Sequence, residues 1–174
     1  MGAGAIITLA GVPLAVTFSE VVIALHILAV VIAFGATFAY PVIFAVAGRY
    51  PRALPVVYRA VHAISQRVIT PGLALVVIFG IYLASDLHLW STFFVQWGLA
   101  VAVVIGAVEG MFLGPREKRL VEVAEADIAA AGPEGEVRQS DEHRSLVRSV
   151  GAVGALMDLL VVVTIYFMVT RTGA

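Results

Sequence analysis

Thirty residues from Phe18 to Ala47, FSEVVIALHILAVVIAFGATFAYPVIFAVA, are almost all apolar, and only Glu20 and His26 interrupt them with ionisable groups. As an α-helix rising about 1.5 Å per residue, the run outreaches the roughly 30 Å hydrocarbon core of a bilayer. Such a stretch folds only as a tilted or overhanging transmembrane helix. Its histidine face must then look into protein or water. Steps of three and four from His26 reach Ala29, Val30, Ala33, Thr37 and Tyr40, a strip of small or hydrogen-bonding side chains. Val22, Leu25, Ile32, Ile43 and Phe44 are expected on the opposite, lipid-facing sides.

Three more apolar runs follow, at about 59–85, 92–114 and 147–170, each beyond the roughly 20 residues that a span requires. Hydrophobic residues make up 61% of the chain and charged ones 13%, which excludes an ordinary soluble domain with about 25% charged residues. The expected fold is all-α, a single integral membrane domain built as a four-helix bundle. The start of the chain has no positive n-region and runs directly into the first span, so a cleaved signal is not expected there. Cysteine is absent, which removes disulfides, thiolate metal sites and iron–sulfur clusters. A net charge of −1 and no basic face exclude a nucleic-acid partner and leave the lipid bilayer as the expected one.

Basic residues give the orientation. Arg49, Arg52 and Arg59 follow the first span, and Arg116, Lys118, Arg119, Arg138, Arg144 and Arg148 lie between the third and fourth. The connection between spans two and three has none, and the C-terminal end has only Arg171. Both basic segments are therefore expected in the cytoplasm and both termini outside an inner or plasma membrane. The segment 115–146 reads as a cytoplasmic helical hairpin lying under the bundle. Pro115 opens a helix with an apolar edge at Leu120, Val121, Ala124 and Ile128, GPEGE breaks it, and Ser140 is placed to N-cap the helix that climbs into span four.

Span three carries Gly98, Ala102, Gly106, Gly110 and Gly114 at intervals of four, the pattern that lets two helix backbones approach closely. The partner is either another span of this chain or span three of a second copy, which would make a homodimer. Gly151, Gly154 and Ala155 repeat the idea in span four and put Asp158 on the inward side. Pro71 removes a backbone hydrogen bond and predicts a kink near Arg67.

Ionisable residues inside spans are costly and are read as site candidates. His62, Arg67, Glu109 and Asp158 form an inner polar network, in which Arg67 needs a carboxylate from Glu109 or Asp158. That network is either a structural ion pair or a proton or ion path. His26, His88, Glu20 and Asp86 form an outer set whose donor types suit a first-row metal. Haem b is the other cofactor that a membrane histidine suggests. His26 and His62 cannot share one haem, being on the order of 20 Å apart along the membrane normal.

The string ALHILAVVIAFGATFAYPVIFA, Ala24 to Ala45, resembles the first span of the superfamily that includes HemJ-type protoporphyrinogen oxidases and CopD-like copper-resistance proteins. RVITPGLALVVIFGIYLAS, Arg67 to Ser85, is similar to the T-P segment of their second span. The resemblance covers about the first half of the chain and implies a member of that superfamily, with His26 as a haem ligand. Three functions stay open: a haem-binding redox protein, a small ion, proton or metal transporter, and a structural subunit associating through the glycine strip.

Overall fold

The computed structural model describes residues 6–9 and 12–173. The reading of the chain's start falls partly on residues 1–5, 10 and 11, outside the described ones. Strands β1 (Ile6–Leu9) and β2 (Val12–Ala15) pair as a short antiparallel ribbon, with Ile6 opposite Ala15. Everything after it is helical: α1 (Phe18–Gly35), α2 (Tyr40–Ala47), α3 (Leu54–Ile64), α4 (Thr70–Asp86), α5 (Phe93–Val108), α6 (Gly114–Ala131) and α7 (Asp141–Thr170). These join into four continuous rods, Phe18–Ala47, Pro51–Asp86, Phe93–Ala131 and Asp141–Thr170, each long and apolar enough to cross a membrane. The molecule is an all-α four-helix bundle.

Three of the rods are interrupted next to a proline, and the reason is the same each time. Proline lacks the N–H that an α-helix would donate four residues back, so the turn before it must close otherwise. Before Pro41 the chain tightens into a 3₁₀ turn, Thr37–Ala39. Before Pro71 and Pro115 it widens instead into π turns, Ser65–Ile69 and Glu109–Leu113. In these the N–H of Thr70 reaches the Ser65 carbonyl and that of Gly114 the Glu109 carbonyl. The disturbance expected near Arg67 is thus a widened turn, a form that often marks functional sites.

Local signals set the rod ends. Thr17 and Glu20 form a reciprocal capping box at the start of α1. Ser140 caps α7 as expected, accepting from the His143 N–H at 3.3 Å. Gly132, at φ 71°, ends α6 in the left-handed region.

The rods run antiparallel. α1 packs along α4, α5 along α7, and α3 along α6. Span four meets span one at the 3₁₀ turn, and a cavity opens between span four and the other rods. One apolar core, Ala33, Phe34, Val101, Ile105 and Val161, fills the middle of the bundle. A second, Ala47, Leu54, Tyr58, Leu120 and Ala124, fills its Arg-rich end.

Two expectations are corrected here. Val22 and Phe44 do not face lipid: Val22 is buried, and Phe44 packs against the second core. They lie one turn before His26 and one turn after Tyr40, so the inward strip runs from Val22 to Phe44. The segment 115–146 forms the expected helical hairpin, but its inner side is packed rather than solvated: α6 packs on α3 and on α7, around buried Leu120, Val123 and Ala124.

The glycine strip also divides. Gly98 abuts Met168 and Thr164 of span four, Gly106 faces Leu73 of span two, and Gly110 has open space around it. A residue four on in a helix is rotated by about 40°, so a strict four-residue repeat winds from one neighbour to the next. A close approach to a neighbouring backbone lies elsewhere, where Gly72 of α4 meets Ala33 of α1.

Candidate functional site

α3 and α6 meet along matching seams. Leu54, Tyr58, Val61 and Ser65 recur at spacings of four, three and four, and so do Leu113, Glu117, Leu120 and Ala124; all eight are buried. Each seam carries polar side chains where apolar ones would be expected. Glu117, 6% exposed, accepts from Ser65 Oγ at 3.1 Å and pairs with His62 Nδ1 at 2.9 Å. A buried carboxylate is tolerable only with such partners.

Beside this pair lies a cavity of about 490 Å³, filling the gap between span four and the other rods. Glu109, Glu117 and Asp158 all line it, together with the rings of Phe34, Tyr40, Phe44 and Tyr58. Both π turns open onto it, through Ser65, Ile69, Glu109 and Leu113. No Lys, Arg or His is among its described lining residues. Two polar atoms here are shut off from solvent without a hydrogen-bond partner, Glu109 Oε1 and the Tyr40 hydroxyl. On span one, the Thr37 hydroxyl lies 2.6 Å from Asp158 Oδ1 and 2.8 Å from the Phe34 carbonyl. One hydroxyl hydrogen cannot fully serve two acceptors, so this corner retains accepting capacity.

A second polar chain leads away from the cavity. The Tyr58 hydroxyl is 2.9 Å from His143 Nε2, and His143 Nδ1 is 2.7 Å from Asp127 Oδ2. Asp127 also accepts the Ser140 N–H at 3.2 Å. His143 is only 1% exposed. Arg52 holds the turn above this chain by donating to the Gly132 and Gly135 carbonyls, both at 2.8 Å. Arg59–Glu125 and Arg119–Glu142 pair on its surface.

The expected inner network is partly assembled and partly not. Glu109 and Asp158 line the cavity, and His62 reaches its edge through Glu117. Arg67 does not join them: its side of the rod is exposed, and no described carboxylate lies within ion-pair distance. It stands two residues from Ser65 and two from Ile69, both buried, and on a helix that spacing points it outward.

The expected outer metal set is not brought together, and no three described His, Asp or Glu side chains converge on a common point. Glu20 is engaged in its own helix cap, Asp86 accepts from Ser19 at 2.5 Å, and His88 sits in an exposed turn at φ 56°. His26 lies about 9 Å further along its helix than Glu20. Its ring packs where Gly80 leaves room, since a Cβ there would be 3.3 Å from Cε1.

The space beside His26 is about 50 Å³, room for a water or two, against the roughly 300 Å³ or more of a pocket for an organic ligand. As packed, these residues do not fit a haem. His62, turned to Glu117, supplies no second axial ligand.

Sequence reasoning missed Glu117, Ser65, Tyr58, His143 and Asp127. The four-three-four spacing was the available signal for the first three. Thr17–Phe18–Ser19–Glu20 was the signal that Glu20 caps a helix.

No family model, curated protein or solved structure matches the chain. The likeness of its first two spans to HemJ-type and CopD-like proteins therefore rests on the two strings alone.

Proposed function

We propose that this chain is a small multi-pass membrane protein that binds and passes cations, protons foremost, by way of the acidic cavity. The observation that carries this reading is the charge of the walls: three carboxylates and no basic side chain among the described lining residues. Glu109 and Asp158, half-buried and with no described cationic partner, favour whatever cation can reach them. Two adjoining π turns supply loosened backbone at the same place. With the arginine-rich end in the cytoplasm of an inner or plasma membrane, the cavity lies toward the cytoplasmic side.

The test is proton flux into liposomes under an imposed membrane potential, read by an entrapped pH dye. Glu109→Gln and Asp158→Asn should each bring the flux near the leak of empty vesicles. Wild-type flux no greater than that leak would sink the proposal.

Haem b at His26, the function implied by the resemblance, has one observation in its favour: His26 Nδ1 is buried without a partner. It requires the helices around the small space to part. Purified protein should then show a Soret band that His26→Ala removes. Protein that stays colourless after incubation with hemin rules this reading out. Association through the glycine strip has less left to act through, since Gly98 and Gly106 already face spans of the same chain.

A further inference from the structure

We infer that the cavity is a receptor for an amphipathic organic cation, an ammonium or phosphonium group carried on an aromatic or aliphatic body. The inference rests on the cation-passing reading and goes beyond it to the kind of cation that the cavity selects.

Size is the first argument. A proton, or a metal ion with a few waters, needs only tens of Å³, whereas about 490 Å³ lies within the range of pockets for organic ligands. A bare metal ion would also need convergent donors, and no described trio of His, Asp or Glu supplies them.

The walls are the second. Most of the cavity surface is apolar, and one side is a run of rings. Tyr40 and Phe44 have centroids 6.1 Å apart at 49°, and Phe44 and Tyr58 are 5.9 Å apart at 51°. Such faces hold an organic body by area and a cationic head by the ring quadrupole.

The third is the state of the polar groups. Glu117 already has His62 and Ser65 as partners. Glu109 Oε1 and the Tyr40 hydroxyl have none, and Asp158 shares one hydroxyl with a backbone carbonyl. A neutral lipid chain would fill the apolar volume and leave the carboxylates uncompensated. An amphipathic cation answers both needs with one molecule. Span four leaves the space for it: Gly151 and Gly154 line the cavity, and a Cβ at either would meet nothing within 4 Å.

The experiment is equilibrium binding to purified protein in detergent, using radiolabelled tetraphenylphosphonium and tetraphenylborate. These two ions share size and shape and differ in the sign of their charge. The phosphonium should bind saturably and the borate should not. Glu109→Gln should weaken phosphonium binding by about tenfold or more. Gly154→Phe, which fills the cavity without touching a charge, should abolish it in protein that still elutes as a single sharp species. Equal binding of both ions, or binding of neither, overturns the inference. Absent phosphonium binding with intact Glu109-dependent proton flux removes the organic cation and leaves the cation-passing reading standing. Phosphonium binding without flux does the reverse.

Discussion

Replacing His143 with leucine should lower the melting temperature in detergent by on the order of 10 °C, a loss of about 3 kcal/mol. Leucine keeps much of the side-chain volume but makes neither hydrogen bond. The Tyr58 hydroxyl loses its partner at 2.9 Å, and Asp127 loses the one at 2.7 Å and keeps the Ser140 N–H. Both sit in a packed end of the bundle where water does not simply replace the ring, since His143 is 1% exposed. Each stranded group costs about 1–3 kcal/mol. Asp141→Ala, two residues away on the same helix, makes the contrast. Its carboxylate is 98% exposed and bonded only to Arg144, so its loss should stay within a few tenths of a kcal/mol. Tyr58→Phe combined with His143→Leu should cost less than the two single changes summed, because the singles between them leave His143 Nε2, the Tyr58 hydroxyl and Asp127 short of a partner and the double variant only Asp127. Thermal unfolding followed by circular dichroism reads all four variants beside the wild type. A His143→Leu melt that overlays the wild type would mean the chain of bonds is not holding this end together.

That chain also shows where reading the residues in order stopped working. Hydropathy alone located the four rods, because a backbone in lipid must satisfy itself and helices of that length are one of few ways to do so. Ser140 was legible as a cap because its signal is local. His143 and Asp127 were not, because both fell in a stretch whose charge suggested solvent.

Charge density there is real but lies on the outer faces, as in the Arg119–Glu142 and Arg59–Glu125 pairs. The inner faces repeat Leu120, Ala124, Leu146 and Val150 at core spacing. Arg67 fails for the opposite reason. An arginine within a hydrophobic run invites a buried partner, yet Arg67 lies on the exposed side of its rod, away from buried Ser65 and Ile69. Asp158 is expected inward from its small-residue face, and both it and Glu109 line the cavity. What they share is an empty volume, and a volume between rods depends on how span four leans, which no local pattern records.

Gly72→Ala should destabilise the bundle by about 2 kcal/mol, while the same change at Gly98 should be close to neutral. Both glycines lie in spans against a neighbouring helix, so composition and depth do not separate them. What they touch does. A Cβ on Gly72 would stand 2.8 Å from the Ala33 Cβ and 3.1 Å from its Cα, and Ala33 is wholly buried in the central core.

Nothing there can rotate away, so α1 and α4 would have to separate, loosening Phe34 and Val161 behind them. A Cβ on Gly98 would meet the terminal methyl of Met168, an unbranched side chain with other rotamers open to it. Alanine's higher helix propensity then offsets what little packing is lost. The consequence extends to the cavity, because Thr37 follows Ala33 by one turn on the same rod and holds Asp158 at 2.6 Å. Widening the α1–α4 contact should therefore weaken tetraphenylphosphonium binding as well as stability, and Gly98→Ala should change neither. Equal melting shifts for the two alanines would show that the Gly72–Ala33 contact is not the tight joint of the bundle.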